Sequence, residues 1–200
     1  MIGGWKLAKN KKLGSAPGFY TYSRSAIETC PGASDWCRGK DAERPPCYPI
    51  RMAQRRPTNA RSWAANDHDA IPPIPAMATL IRYTVSGDLD TVAHIRALRS
   101  RLLESPTVRL WAYTRSWRVK ALRREINRLR RDCGDRVQIF ASMDRSIAER
   151  PPRGWRVAWL SDDDRAQGYA CPEQDGRKRD CLDCLYCPLG RRGDVVFTIH

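Results

Sequence analysis

Three thiols recur at every third position in Cys181-Leu182-Asp183-Cys184-Leu185-Tyr186-Cys187, and Pro188 follows the last. A fourth, Cys171, lies ten residues upstream in front of Pro172. Spacing this close brings three sulfurs to one side of a tight loop. An iron–sulfur cube can be held in that way, with three corners on one loop and the fourth on a more distant residue. Zinc more often draws its ligands in two separated pairs and is the alternative. Disulfides within so short a run have poor geometry. A second group, Cys30, Cys37 and Cys47, has gaps of six and nine residues. It reads as three ligands of a second cluster, with an open iron or a non-cysteine fourth ligand. His200, at the end of the last expected strand, is a candidate for that place. The plainer alternative is that one or two of these thiols pack in the core, as free cysteines do. Cys133 stands apart from both groups at a helix end and reads as structural.

Composition sets the surroundings of these thiols. Two hundred residues suit one domain with a core of real size. No run of about 18 apolar residues occurs, so no membrane-spanning helix is expected. The first dozen residues carry Lys6, Lys9, Lys11 and Lys12 without an apolar stretch, unlike a secretory signal. A reducing, cytoplasmic setting is the expectation, and eight cysteines there read as ligands rather than bridges. The net charge of +14 is uneven. Residues 1–75 hold 12 basic and 6 acidic side chains, residues 76–165 hold 19 and 11, and residues 166–200 hold 5 of each. A basic middle of this kind attracts phosphate backbones. Lys120, Arg124, Arg128 and Arg131 on one helix face are the place where nucleic acid would lie. Arginine outnumbers lysine 29 to 7, which a GC-rich genome would also produce.

The elements that must position the thiols fall into three stretches. Residues 1–75 form a cysteine-containing N-terminal segment. It has a short aromatic strand at Phe19-Tyr20-Thr21-Tyr22, a short helix near Arg51 to Arg61, and a turn at Asn66 to Asp69 where His68 is solvated. Residues 76–165 carry repeated strand–helix units. Strands are expected at Thr79–Val85, Thr107–Thr114, Arg136–Ala141 and Trp155–Leu160, from their β-branched and aromatic content. Helices are expected at Thr91–Glu104, capped by Asp88 or Asp90, at Trp117–Arg131, stopped by Gly134, and at Arg145–Glu149. Residues 166–200 hold the triple-cysteine run and a final strand, Asp194–Ile199. Strands alternating with helices imply an α/β fold in one integrated domain, a partial (βα) barrel or an open, mostly parallel sheet with cysteine-rich N- and C-terminal segments.

In such sheets ligands gather at the C-terminal ends of the strands. Ser86, Gly87 and Asp88 end the first βα strand, Arg115 the second, Ser142 and Asp144 the third. These six are the candidate cofactor-binding residues. Ordinary cap and loop chemistry is the competing reading of the serines and aspartates.

The order of motifs resembles a known family. Thr29-Cys30-Pro31, Trp36-Cys37, Cys47-Tyr48, Val85-Ser86-Gly87-Asp88, Trp111 to Ser116, Ala141-Ser142-Met143-Asp144, Gly154-Trp155, Cys171-Pro172, the triple-cysteine run and Phe197 to His200 look like the gene-product-88 domain family of actinobacterial phages and related mobile elements. That resemblance implies a phage protein acting in the bacterial cytoplasm. A more distant likeness is to radical S-adenosylmethionine enzymes, in which three cysteines hold a cube and a Gly-Gly-Glu strand end holds the amino group of the methionine moiety. By that likeness Ser86-Gly87-Asp88 would take the second part. Three functions follow as expectations. The first is an iron–sulfur protein with two [4Fe-4S] clusters, the second a radical S-adenosylmethionine-like enzyme, and the third a zinc-stabilised nucleic-acid-binding module.

Overall fold

The computed structural model describes residues 4–39, 47–189 and 193–199. His200 lies outside them, as does the stretch that leads into Cys47. The strands are β1 (Lys6–Leu7), β2 (Phe19–Tyr22), β3 (Leu80–Tyr83), β4 (Arg109–Thr114), β5 (Val137–Ser142), β6 (Arg156–Leu160), β7 (Tyr169–Ala170) and β8 (Val195–Phe197). They form one sheet in the order β1-β2-β3-β4-β5-β6-β8-β7. Only the β1–β2 pair is antiparallel. The sheet stays open, so this is a mixed α/β fold with a mostly parallel sheet. From β2 to β6 the chain adds each strand beside the last. Right-handed crossovers in a sheet built this way all fall on one face.

That face carries α4 (Val92–Glu104) and α5 (Lys120–Cys133). Strand parity supplies its core. Ile81 and Tyr83, Leu110 and Ala112, Ile139 and Ala141, and Val157 and Trp159 alternate along their strands. They pack with Ile95, Leu98 and Leu102 of α4 and Leu122, Ile126 and Leu129 of α5. Cys133 is buried in the same cluster, as its isolation in the sequence suggested. The intervening residues face the other way. Phe19 and Trp111 meet Cys181, Leu182 and Cys187. Phe140, Ala158 and Val195 meet Cys171, Tyr186 and Cys187. Helices thus cover one face of the sheet and the cysteine-rich C-terminal segment covers the other.

Several local expectations change. Thr91, not Asp88 or Asp90, caps α4, and its hydroxyl accepts from the His94 amide at 2.9 Å. Asp88 is held elsewhere. The short helix expected at Arg145–Glu149 is a turn, because Asp144 Oδ1 accepts from both the amide and the hydroxyl of Ser146 and folds the chain back locally. The connecting stretch holds two helices rather than one, α2 (Tyr48–Arg55) and α3 (Pro57–Ala64), broken where Pro57 starts the second. α5 ends at Cys133 with Gly134 at φ +60, as the glycine stop implied. Among the described residues no helix is long and apolar enough to cross a membrane.

The helix-facing side of the core also carries a histidine that ties stability to pH. His94 is fully buried, and its Nε2 lies 2.7 Å from the Tyr83 hydroxyl. Burial, with Arg24 nearby, pushes its pKa down from 6.5 to about 3. Between those values the unfolded chain takes up a proton that the folded chain refuses, so stability falls as pH drops below 6.5. The loss is ~2 kcal/mol at pH 5, at about 1.4 kcal/mol per pH unit. Urea unfolding from pH 7 to pH 4 should show this slope in the native chain and a flatter one in His94→Gln. Equal slopes would contradict the assignment.

Candidate metal centres at the strand ends and on the open face

The N-terminal thiol group sits on the C-terminal ends of the strands. The chain leaves β2 at Tyr22 and runs across these ends before reaching α1 (Asp35–Arg38). The Arg24 amide donates to the Ser86 carbonyl at 2.9 Å. The turn before Cys30 places Ile27 at φ +72, and the Cys30 amide donates to the Ile27 carbonyl at 3.1 Å. A β-branched residue rarely adopts that conformation, so the turn that presents Cys30 is strained. Ser34 caps α1 by accepting from the Cys37 amide at 3.2 Å, which fixes Cys37 in the first turn.

Two glycines allow this loop to dock. A Cβ on Gly32 would stand 2.0 Å from the Arg115 carbonyl oxygen. A Cβ on Gly87, itself at φ +75, would meet Thr29 Oγ1 at 2.5 Å. The loop therefore lies directly on the backbone that ends β3 and β4. Arg118 also donates to the Gly32 carbonyl at 3.1 Å.

Two buried carboxylates organise the contact. Asp88 is 4% exposed. Its oxygens accept from the amides of Leu89 (2.7 Å), Arg115 (2.8 Å) and Ser116 (3.2 Å) and from the Thr114 hydroxyl. Burial pushes its pKa up, and these four donors oppose the shift. Asp144 is fully buried and accepts from Ser34 Oγ at 2.7 Å and from Arg115 Nη2 at 3.0 Å. There burial is outweighed by Arg115, Ser146 and Ser34, and the carboxyl is held below its usual range. Burial works against the charge on Arg115. The Cys37 thiol, Asp144 and Asp88 outweigh it and raise the guanidinium.

Cys37 and Cys47 lie within electrostatic reach of Cys30, and Arg115 and Arg51 lie within reach of Cys47. Burial drives the Cys30 thiol far up, with Asp88 adding to it, and burial raises Cys47 as well. The expected rim residues Asp88, Arg115 and Asp144 thus gather around this group. Gly87 makes the close approach. Ser86 and Ser116 are buried, and their hydroxyls have no hydrogen-bond partner among the described residues. Ser142 contributes its carbonyl, which accepts from Trp117 Nε1 at 3.3 Å. Asp88 spends both oxygens on neighbouring backbone and side chain, so its contribution is to hold the ends of β3 and β4 together.

The C-terminal group lies on the open face. The single turn α6 (Cys181–Cys184) is capped by Asp180, which accepts from the Asp183 amide at 2.8 Å. Leu185 closes it at φ +51. The Cys181 amide donates to the Lys12 carbonyl and the Cys171 amide to the Val196 carbonyl, each at 2.9 Å. Electrostatic coupling links Cys181 with Cys187 and Cys171, and Cys187 with Cys171 and Cys184. Burial pushes Cys181 up to about 12 and Cys187 up to about 11, and Arg82 and Arg156 respectively oppose it. The Tyr113 hydroxyl donates to Cys187 Sγ at 3.0 Å.

All the cysteines are free thiols. Among the described residues, no three His, Cys, Asp or Glu side chains converge as the ligands of a metal ion do. The thiols are grouped but not drawn to a point. His68 is exposed on its loop, as expected.

Sequence reasoning missed Ser34, Arg82, Tyr113 and Arg156 as neighbours of the thiols. The available signal was parity, since Arg82 and Tyr113 share the strand face that does not receive the helices. The basic ridge on α5 is partly neutralised. Arg128 pairs with Glu125 at 2.7 Å and Arg131 with Asp132 at 3.3 Å, while Arg96 and Arg99 of α4 reach the same two acids.

The docking geometry gives a direct test. Gly32→Ala should cost about 3 kcal/mol in urea unfolding, because backbone lies where the methyl must go. An unchanged midpoint would mean that the loop does not lie on Arg115. No protein-family model, curated protein or solved structure matches this chain.

Proposed function

We propose that the chain is an iron–sulfur protein of phage or mobile-element origin that binds two [4Fe-4S] clusters. Cys171, Cys181, Cys184 and Cys187 would hold one. Cys30, Cys37 and Cys47 would hold the other by three corners. One observation carries the reading. Seven of the eight cysteines, drawn from remote parts of the sequence, fall into two groups, and the eighth is packed in the core. The close sequence spacing of Cys181, Cys184 and Cys187 also favours a cube, three of whose corners one loop can hold. A single tetrahedral zinc draws its sulfurs to about 2.3 Å from one centre, whereas a cube sets each thiolate on a separate iron and spreads them. The charge environment fits as well. Four thiolates on a cube leave a net negative centre, and Arg82, Arg156 and Lys12 all act on the C-terminal thiols. Such a cluster supplies one-electron chemistry. The protein's part is to bury it, to neutralise its charge and to donate a hydrogen bond to one sulfur.

A second reading has its own support in the topology. The three-thiol group follows the first parallel strand, and Ser86-Gly87-Asp88 ends the second, beside Cys30. That arrangement is the one expected of a radical S-adenosylmethionine-like enzyme, with the open iron facing the strand rim. The internal hydrogen bonds of Asp88 leave recognition of the methionine amino group to main-chain carbonyls or to the Ser86 hydroxyl.

Protein isolated without oxygen should be brown and carry roughly eight irons per chain, falling to about four when Cys181 and Cys184 are both replaced by Ala. A colourless protein with stoichiometric zinc would overturn the proposal. The second reading requires S-adenosylmethionine to alter the paramagnetic spectrum of the reduced protein and to be cleaved to methionine and 5′-deoxyadenosine under dithionite. An unchanged spectrum with no cleavage would exclude it.

A further inference from the structure

The helix pair α2–α3 differs from the rest of the surface in its charge. From Cys47 to Asn66 the chain carries Arg51, Arg55, Arg56 and Arg61 and no aspartate or glutamate. Arg55, Arg56 and Arg61 are exposed, and among the described residues no carboxylate pairs with them. Lys6, on the edge strand β1, is also exposed, and its ammonium donates to the Ser62 hydroxyl, next to Arg61 on α3. Residues 40–46 add no net charge by sequence, since Lys40 and Arg44 balance Asp41 and Glu43. α2 packs against α3 and has no fully buried residue of its own. Its first residue, Tyr48, is 55% exposed. Tyr48 and Arg55 stand two helical turns apart, so they share one face of α2 at a separation of about 10 Å along its axis.

Arginine is abundant throughout this chain, and abundance alone makes no site. Elsewhere on the surface, however, arginines meet acids. Arg128 and Arg131 of α5 pair with Glu125 and Asp132, Arg118 with Glu149, Arg165 with Asp163 and Arg177 with Asp175. Grouped cations that no acid neutralises attract a chain of phosphates, because binding releases the counterions condensed on it. An exposed aromatic ring at the end of such a group offers a face on which an unpaired base stacks. We propose that α2 and α3, together with Lys6, form a docking surface for single-stranded DNA. Lys6, Arg55, Arg56 and Arg61 contact its phosphates, and Tyr48 stacks on one base. The span from Tyr48 to Arg55 matches about three nucleotides at a stacked spacing of roughly 3.4 Å. A duplex keeps its bases paired with one another and gives the ring nothing to stack on, so Tyr48 selects the single strand. Phosphate and base-face contacts need no 2′-hydroxyl, so a DNA strand supplies everything that this surface recognises.

The test is fluorescence anisotropy of a labelled oligothymidylate titrated with the full chain between about 50 and 200 mM salt. Native protein should bind with a log–log salt slope near −3, from about −0.7 for each of four phosphates. Arg55→Gln/Arg56→Gln/Arg61→Gln should flatten the slope to about −0.7 and weaken binding by about tenfold or more at the lower salt. Tyr48→Ala should weaken binding by about tenfold and leave the slope unchanged, since a stacked ring releases no counterions. Lys120→Gln/Arg124→Gln, on the ridge of α5, should bind as native protein does. If circular dichroism shows the triple variant unfolded, Arg61→Gln carries the test, with a slope shallower by about 0.7. Native protein that does not bind the strand at the lower salt overturns the inference. So does a preference for duplex DNA or for an RNA strand, or binding that is lost with the α5 substitutions and kept with those on α2 and α3. Each readout is independent of iron content, so the two-cluster reading stands or falls apart from it.

Discussion

The burial of two carboxylates at the ends of parallel strands is the constraint on which the rest depends. Asp88 and Asp144 are both shut away from water, where an unpaired charge is not tolerated. Each must therefore be met by donors, and those donors come from the neighbouring strand and from the loop above. Asp88 takes the amides of Arg115 and Ser116 and so ties the end of β3 to the end of β4. Asp144 takes Ser34 and Arg115 and so ties the end of β5 to the cysteine-bearing loop. Arg115 shares both networks. The position of Cys37 then follows, because the serine that Asp144 holds is the serine that caps its helical turn.

The two faces of the sheet divide the remaining work. Consecutive parallel strands put the long helices on one side, which leaves the opposite side to be covered by something else. The C-terminal segment covers it, carrying four thiols onto a surface of Phe19, Trp111, Tyr113 and Phe140. Aromatic rings and the half-buried Arg82 and Arg156 make this an apolar yet electropositive bed. Neutral thiols gain little from such a place, and burial raises their pKa values accordingly. Thiolates bound to a metal, as proposed, would gain more, since binding would displace the protons and supply negative charge beside the arginines.

Much of this architecture was legible in the sequence, and for identifiable reasons. The strand–helix alternation from Leu80 to Leu160 carries strong periodicity, and the sheet follows it closely. The triple-cysteine run and the rim positions of Asp88, Arg115 and Asp144 were visible from spacing and from the rule that parallel strands present their C-terminal ends. What escaped was tertiary in origin. Asp88 looks like a helix cap, yet it is drawn to the backbone of β4, and Thr91 takes the capping place. Arg145 to Glu149 has the composition of a helix, but the Ser146 bonds to Asp144 hold it as a turn. Arg82 appears in the sequence as a lone charge in an apolar strand. Its meaning emerges only when the far end of the chain lies over it.

The central claim is that both thiol groups close around polynuclear iron rather than around single ions. X-ray absorption at the iron edge of anaerobically loaded protein tests it most directly. The account expects a shell of sulfur around every iron and a short iron–iron vector beyond it, both retained when either thiol group is removed alone. Iron ringed by oxygen and nitrogen with no iron–iron vector, or isolated zinc in a sulfur tetrahedron, would contradict it.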